Sequence, residues 1–169
     1  MSSDAFLADT VDGFTIREAT HDDVPTILRF IRELAEFEGL ADEVVATEED
    51  LTRTLFDTRS PEVVIALWQD RPIGFALFFH NYSTFLGKPG IYLEDIYIQP
   101  EMRGRGFGKA MLGHLARMAL ERGCGRLEWW CLDENIPSIE FYRSLDAEAM
   151  EDWTVHRLTG PALLRLADS

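Results

Sequence analysis

Between an apolar strand and a helix the chain reads RGRGFGK, Arg103 to Lys109. Glycine weakens either element, by about 1 kcal/mol per helical position. A loop built this way makes sense where bare backbone amides must approach a ligand. Two phosphate-binding patterns fail on spacing. A P-loop needs glycine where Arg103 stands and Ser or Thr where Ala110 stands. A dinucleotide fingerprint from Gly104 and Gly106 needs its third glycine at Lys109. The pattern that fits is R-x-x-G-x-G over Arg103, Gly106 and Gly108, closing a strand and opening a helix. Successive amides and the helix N-terminus can hold a pyrophosphate there. The whole stretch, Arg103, Gly104, Arg105, Gly106, Phe107, Gly108 and Lys109, is therefore a candidate cofactor loop.

The elements around this loop follow from period and punctuation. Residues 1–13 read as a loose leader, and Phe14 to Glu18 (FTIRE) alternates as a strand. Asp22 and Asp23 open a helix whose buried face is Val24, Ile27, Leu28, Ile31, Leu34 and Ala35, and Gly39 ends it. Thr47 starts a short second helix, with Asp50 placed for a capping box. EVVIALWQ and PIGFALFFHNY around DRP form an antiparallel hairpin, and GIYLEDIYIQP is a third strand stopped by Pro100. After the glycine loop a helix buries Met111, Leu112, Leu115, Met118 and Ala119. RLEWWCL is a strand, PSIEFYRSL a helix with Pro137 in its first turn, and Trp153 to Leu158 a last strand before a short apolar tail. The order predicts an α/β, mixed α+β fold: one domain over residues 1–169, with a central mixed sheet flanked by helices.

Composition narrows the partners. With 16 basic against 30 acidic residues the net charge is −14, which argues against nucleic acid and anionic membranes and attracts a cation. Cys124 and Cys131 are too few for a disulfide framework and have no metal-ligand spacing. His21, His80, His114 and His156 form no spaced set, and His114 is expected to be exposed. No metal is expected. No run reaches the roughly 18 apolar residues of a membrane span. MSSDAFLADTVDGF lacks the regions of a secretory signal, so cytoplasmic residence is expected.

The R-x-x-G-x-G loop resembles that of the GNAT acetyltransferases, which holds the pyrophosphate of acetyl-CoA. About 30 residues on, NIPSIEFYRSLDA resembles the GNAT segment N-x-x-S-x-x-F-Y-x-x-x-G-A. A helix starting near Pro137 puts Asn135 and Ser138 at its mouth and Tyr142 just over a turn beyond, where a phenol could protonate a departing CoA thiolate. Asp146 departs from the pattern: the family has glycine there for a positive-φ turn, which aspartate tolerates better than most residues. ILRFIRELAEFE, YLEDIYI, PEMRGRGFG, NIPSIEFY and the isolated Trp153 extend the likeness over Phe14 to about Ala167. The chain is similar to the diamine (spermidine/spermine) branch, and within it to thialysine Nε-acetyltransferase-like members.

The resemblance implies a GNAT fold, a homodimer, acetyl-CoA as cosubstrate, and direct transfer to a small cationic primary amine. It implies that Glu94 assists deprotonation and binds the amine, and that Tyr142 is the acid. It also implies that the backbone of Ile96, Tyr97 and Ile98 lies along the pantetheine. Amine contacts are implied at Phe37 and Glu38, at Glu128, Trp129 and Trp130, and at Glu151 or Asp152. Glu38, Glu94 and Glu128 would make an anionic pocket. Phe37 stands where the polyamine enzymes carry tyrosine. By the period of two, Asp95 is expected on the opposite face from Glu94, in a structural role. Only one of Trp129 and Trp130 is expected to line the pocket. Two alternatives stay open from sequence: an enzyme acting on a protein N-terminus or lysine, and a catalytically idle CoA-binding module.

Overall fold

A computed structural model describes residues 12–58 and 60–169. All but the last two residues of the expected leader lie outside them. The chain divides into two compact units, one running to Trp130 and the other Cys131–Ser169.

The first unit is a five-stranded sheet ordered β1 (Phe14–Glu18), β2 (Glu62–Trp68), β3 (Arg71–Ser83), β4 (Lys88–Ile98) and β5 (Leu127–Trp129). Neighbours are antiparallel as far as β4, and β5 joins β4 in parallel. Turns suffice for the antiparallel pairs. The parallel pair needs a crossover, which the helix α3 (Phe107–Glu121) supplies.

The sheet is covered on both sides. Helix α1 (Val24–Phe37) lays Val24, Ile27, Leu28 and Phe30 against Ile65, Phe75, Leu77 and Tyr97. Phe30 is fully buried between the rings of Phe75 (6.0 Å) and Tyr97 (5.8 Å), although the periodic pattern had passed it over. On the other face Phe107, the first residue of α3, stacks on Phe14 at 4.8 Å and meets Trp68 at 6.5 Å. Met111, Leu112, Leu115 and Ala119 continue that buried stripe, while Met118 is only half-buried. His114 is half-buried, not exposed as expected; burial and then Arg117 hold its pKa below the usual histidine value.

Entry to α1 is fixed by Asp23. Its carboxylate accepts from Arg17 twice, at 2.7 and 2.8 Å, and from the backbone and hydroxyl of Thr20. The Arg17 guanidinium holds the Asp23 carboxyl below its ordinary range. The Thr47–Asp50 box opens α2 (Glu48–Leu51) as the sequence implied. The helix then widens into a π-turn, Thr52–Asp57, where the hydroxyls of Thr52, Thr54 and Thr58 bond back to carbonyls four residues earlier.

In the second unit, α4 (Ile136–Arg143) has Asn135 as its cap, the Asn135 side chain accepting from the Ser138 amide at 3.3 Å. The turn after it places Asp146 at φ +61°, the backbone for which the family pattern has glycine. The strand expected at Trp153–Leu158 is absent: the segment belongs to no helix or strand and is exposed. Alternation alone makes no strand without a ladder partner, and the described residues of this unit form no sheet. The apolar tail instead forms α5 (Gly160–Ala167), with Thr159 as cap and Pro161 in its first turn.

Candidate active site

The site is organised by one extra residue in β4. Across the β3–β4 ladder Leu77 opposes Asp95 and Phe78 opposes Leu93, so Glu94 has no counterpart and forms a β-bulge. Partners across a ladder share a face. Phe75 and Leu77 face α1, so Tyr97 and Asp95 do too. Phe79 opposes Tyr92, whose ring is 5.1 Å away, and this pair also belongs to the α1 face. Leu93 points to the other side. Glu94 returns to the α1 face by ordinary alternation, and the bulge then leaves Asp95 there as well.

Asp95 is thus not the opposite-face structural residue expected from the period of two. Burial raises its pKa first, followed by the carboxylates of Glu94 and Glu38, to about 6. Glu38, capping the end of α1, is raised by partial burial of its carboxyl. Glu38, Glu94 and Asp95 therefore form one acidic group, with Asp95 its least solvated member.

The same strand offers amides. Pairing of β4 with β5 ends at Leu93 and Trp129, so residues 94–98 run on with β3 as their only sheet neighbour among the described residues. Gln99 donates its N–H to Ile73 on the β3 side. Counting back by alternate residues, Tyr97 also turns its amide to β3, whereas Ile96 and Ile98 present theirs to the open edge. Of the three positions expected to lie along pantetheine, Ile96 and Ile98 offer donors and Tyr97 does not. The Tyr97 ring is buried under α1, and burial with a bond to Glu33 pushes its hydroxyl up to about 12.

The glycine loop follows directly. Gly106 adopts φ +86° as the cap of α3, a conformation that a Cβ would strain. The amides of Phe107, Gly108 and Lys109 occupy the first turn of α3, where no preceding helical carbonyl serves them. The Phe107 side chain is core, so any contribution it makes to a ligand is its amide. Arg103 donates from Nε to the Ile98 carbonyl at 2.9 Å and lays its guanidinium 4.3 Å from the Phe37 ring centroid. Arg105 stands 5.3 Å over Trp68.

Beyond Tyr92 the α1 face carries the acceptor-side residues expected on β5. Glu128 opposes Tyr92, and Trp130 meets the Tyr92 ring edge-on at 5.8 Å. Trp129 opposes Leu93 and faces away. Glu128 is not a free pocket carboxylate: the Asn81 amide donates to it at 2.8 Å and Arg126 Nε lies 2.8 Å from the same oxygen. Sequence reasoning missed Asn81 and Arg126, since neither falls in a motif. Gly90 was a signal for them, because a Cβ there would come within 2.5 Å of Asn81 Oδ1 and 2.9 Å of Arg126 Cγ.

In the second unit, Asn135 and Ser138 sit at the mouth of α4 and Tyr142 lies on its last turn, with Phe141 at 5.5 Å. Glu151 and Asp152 lie in an exposed turn. Among the described residues no cluster of His, Cys, Asp or Glu could hold a metal, and no helix is long and apolar enough to cross a membrane.

A mixed sheet whose bulged, open-edged strand runs through a glycine loop into a helix N-terminus agrees with the acyltransferase class that the sequence resembles. The chain belongs to the acetyltransferase (GNAT) family, whose model matches residues 28–146. It is 38% identical to the thialysine Nε-acetyltransferase of Bos taurus, over 90% of this chain and 96% of that protein. It is 36% identical to the L-ornithine N5-acetyltransferase of Arabidopsis thaliana, over 88% of this chain and 85% of the relative. An integron cassette protein from the V. cholerae mobile metagenome superposes with a TM-score of 0.79 at 25% identity, covering 93% of this chain and 99% of that one. The protein is an acetyl-transferring enzyme, and enzymes of this family use acetyl-CoA.

Proposed function

We propose that the enzyme transfers acetyl directly from acetyl-CoA to a primary amine of a small cationic acceptor, a polyamine, diamine or lysine-like amine, in a ternary complex. The bulge at Glu94, which falls on the same strand just before the edge amides of Ile96 and Ile98, supports this reading. The acidic group of Glu38, Glu94 and Asp95, the net charge of −14 and the amine substrates in the relatives' names favour a cation.

An alkyl ammonium has a pKa near 10 and must lose a proton before it attacks. Glu94 takes that proton, directly or through water. The nitrogen then adds to the thioester carbon while an edge amide donates to its oxygen, worth roughly 3 kcal/mol in a well-formed site. As the carbon–sulfur bond breaks, Tyr142 gives its proton to the thiolate. The second proton that the nitrogen sheds on becoming an amide passes to solvent, from which the phenol is restored. The role of Tyr142 rests on its place in the NIPSIEFY segment. Arg103 to Lys109 hold the cofactor, and Phe37, Glu38 and Trp130 border the amine. The cofactor role of Asn135 and Ser138 and the amine role of Asp152 rest, like that of Tyr142, on the sequence resemblance alone. Assembly as a homodimer completes the proposal, to be read by sedimentation.

Free-thiol release with a panel of polyamines, diamines, lysine analogues and a basic peptide tests it. Release with a small amine is expected, and Glu94→Gln should lower kcat/KM by roughly 100-fold with acetyl-CoA still bound. Release with the peptide alone, or an undiminished Glu94→Gln, would overturn it.

A further inference from the structure

Arg126 and Glu128 are paired on the acceptor face with no evident task in moving acetyl. Along that face the order is Glu94, then Tyr92 opposite Glu128, then Gly90 with the Arg126 stem folded over it. Arg126 Nε is 2.8 Å from Glu128 Oε2, yet it is buried without a well-formed hydrogen bond. Its Nη2 makes only a 3.5 Å approach to the Tyr82 carbonyl. The Asn81 Oδ1 beside it is buried without a partner as well. Both charged side chains remain about one-third exposed, at 35% and 36%. An adjacent cation and anion, each with spare bonding capacity, match the head of an α-amino acid: carboxylate to Arg126, ammonium to Glu128.

The spacing fits such a ligand. Two residues of strand span about 6.6 Å, so Glu128, opposite Tyr92, lies roughly that far along the face from Glu94. The Arg126 backbone stands two residues further on, and its side chain folds back to put Nε 2.8 Å from the Glu128 carboxylate. In ornithine or lysine the side-chain nitrogen lies four or five bonds from the α-carbon, roughly 5–6.5 Å when extended. Between them, Tyr92, Phe79 and Trp130 provide an aromatic floor for the methylene stem. A simple diamine would leave Arg126 without an anion and would bring a second cation up to it.

Taking the amine acetyltransfer above as given, we propose that Arg126, paired with Glu128, is a specificity residue. It selects basic α-amino acids over diamines of the same chain length by binding the α-carboxylate. Guanidinium suits the task because its planar fork matches a carboxylate.

The test compares matched acceptors that share stem and amine: ornithine with 1,4-diaminobutane, and lysine with 1,5-diaminopentane, each with acetyl-CoA and thiol release. The unaltered enzyme should favour the amino acid at least tenfold in kcat/KM, and ornithine amide should lose that advantage. Arg126→Gln should lower the amino-acid-to-diamine ratio at least tenfold, mainly through KM. Equal or better turnover of the diamines by the unaltered enzyme would overturn the proposal and leave amine acetylation standing. So would an unchanged ratio in Arg126→Gln, or ornithine amide performing as well as ornithine. Silence with all of these acceptors, acetyl-CoA being bound, would remove the parent reading and this one together. The amide comparison needs no variant, so it decides even if Arg126→Gln folds poorly.

Discussion

Replacing Asp95 by asparagine keeps the shape of the side chain and removes one charge from the acidic group of β4. In the folded protein Asp95 titrates near 6, against 3.8 ordinarily, because burial and the carboxylates of Glu94 and Glu38 oppose its ionisation. Below pH 3.8 the group is protonated whether the chain is folded or not, and it adds no pH-dependent penalty. Between 3.8 and 6 the unfolded chain releases the proton while the folded one retains it, so stability falls at 1.36 kcal/mol per pH unit. Above pH 6 both forms are ionised and the penalty is complete. The interval multiplies to about 3 kcal/mol, and partial exposure brings the working figure to about 2–3 kcal/mol. Asp95→Asn should therefore unfold later than the parent at pH 8, by roughly 5–10 °C for a chain of this size. The difference should shrink to near zero at pH 3.5. Thermal unfolding of both proteins at the two pH values measures it, other carboxylates being common to the pair. An equal gain at both pH values would show that the effect is packing and not charge. Destabilisation at pH 8 would show that the charge is compensated, and the argument for a shared acidic group would fail.

Tyr142→Phe should lower turnover by roughly 100-fold with acetyl-CoA affinity nearly intact; calorimetric binding beside steady-state kinetics checks this, and unchanged turnover removes the acid role. Asp23→Ala should cost about 2–3 kcal/mol, since it strips the Thr20 cap and the Arg17 pair together, and urea midpoints read it. Because the Asp23 pKa is lowered by folding, its contribution is present above its unfolded pKa and fades as pH falls through the folded one, so the gap to the parent should narrow in acid. Asp146→Gly should raise stability by about 0.5–1 kcal/mol by relieving the φ of +61°; a loss would show that the side chain makes a compensating contact.

Local signals carried much of this fold into the sequence. The capping box at Thr47, the buried stripe of α1, the hairpin around Asp70 and the helix opening at Gly106 are all set by neighbouring residues, and all appear where expected. What depended on distant partners did not. Trp153–Leu158 has the alternation of a strand and no ladder. The Arg126–Glu128–Asn81 group joins β5 to a residue 47 positions away, and only the bareness of Gly90 hinted at it.

The bulge is the instructive case, because its trace was present in GIYLEDIYI. Apolar residues fall at Ile91 and Leu93, then at Ile96 and Ile98: the phase jumps from odd to even across Glu94 and Asp95. A strict alternation would have put Asp95 between Leu93 and Tyr97 on a buried face, a costly place for a carboxylate. One unpaired residue resolves this, turning Asp95 beside Glu94 and returning Ile96 and Ile98 to the α3 side. The same residue lets β4 bend where β5 stops, so the edge amides and the carboxylates arise from a single irregularity. Deleting Glu94 should then do more than remove a base. It would restore the regular register with Asp95 still opposite Leu77 and remove the irregularity at which β4 bends along its open edge, so acetyl-CoA affinity should fall together with turnover. Glu94→Gln keeps the bulge and should spare that affinity. Equal acetyl-CoA affinity in the deletion and in Glu94→Gln would separate the bulge from the cofactor edge and refute this account of the site.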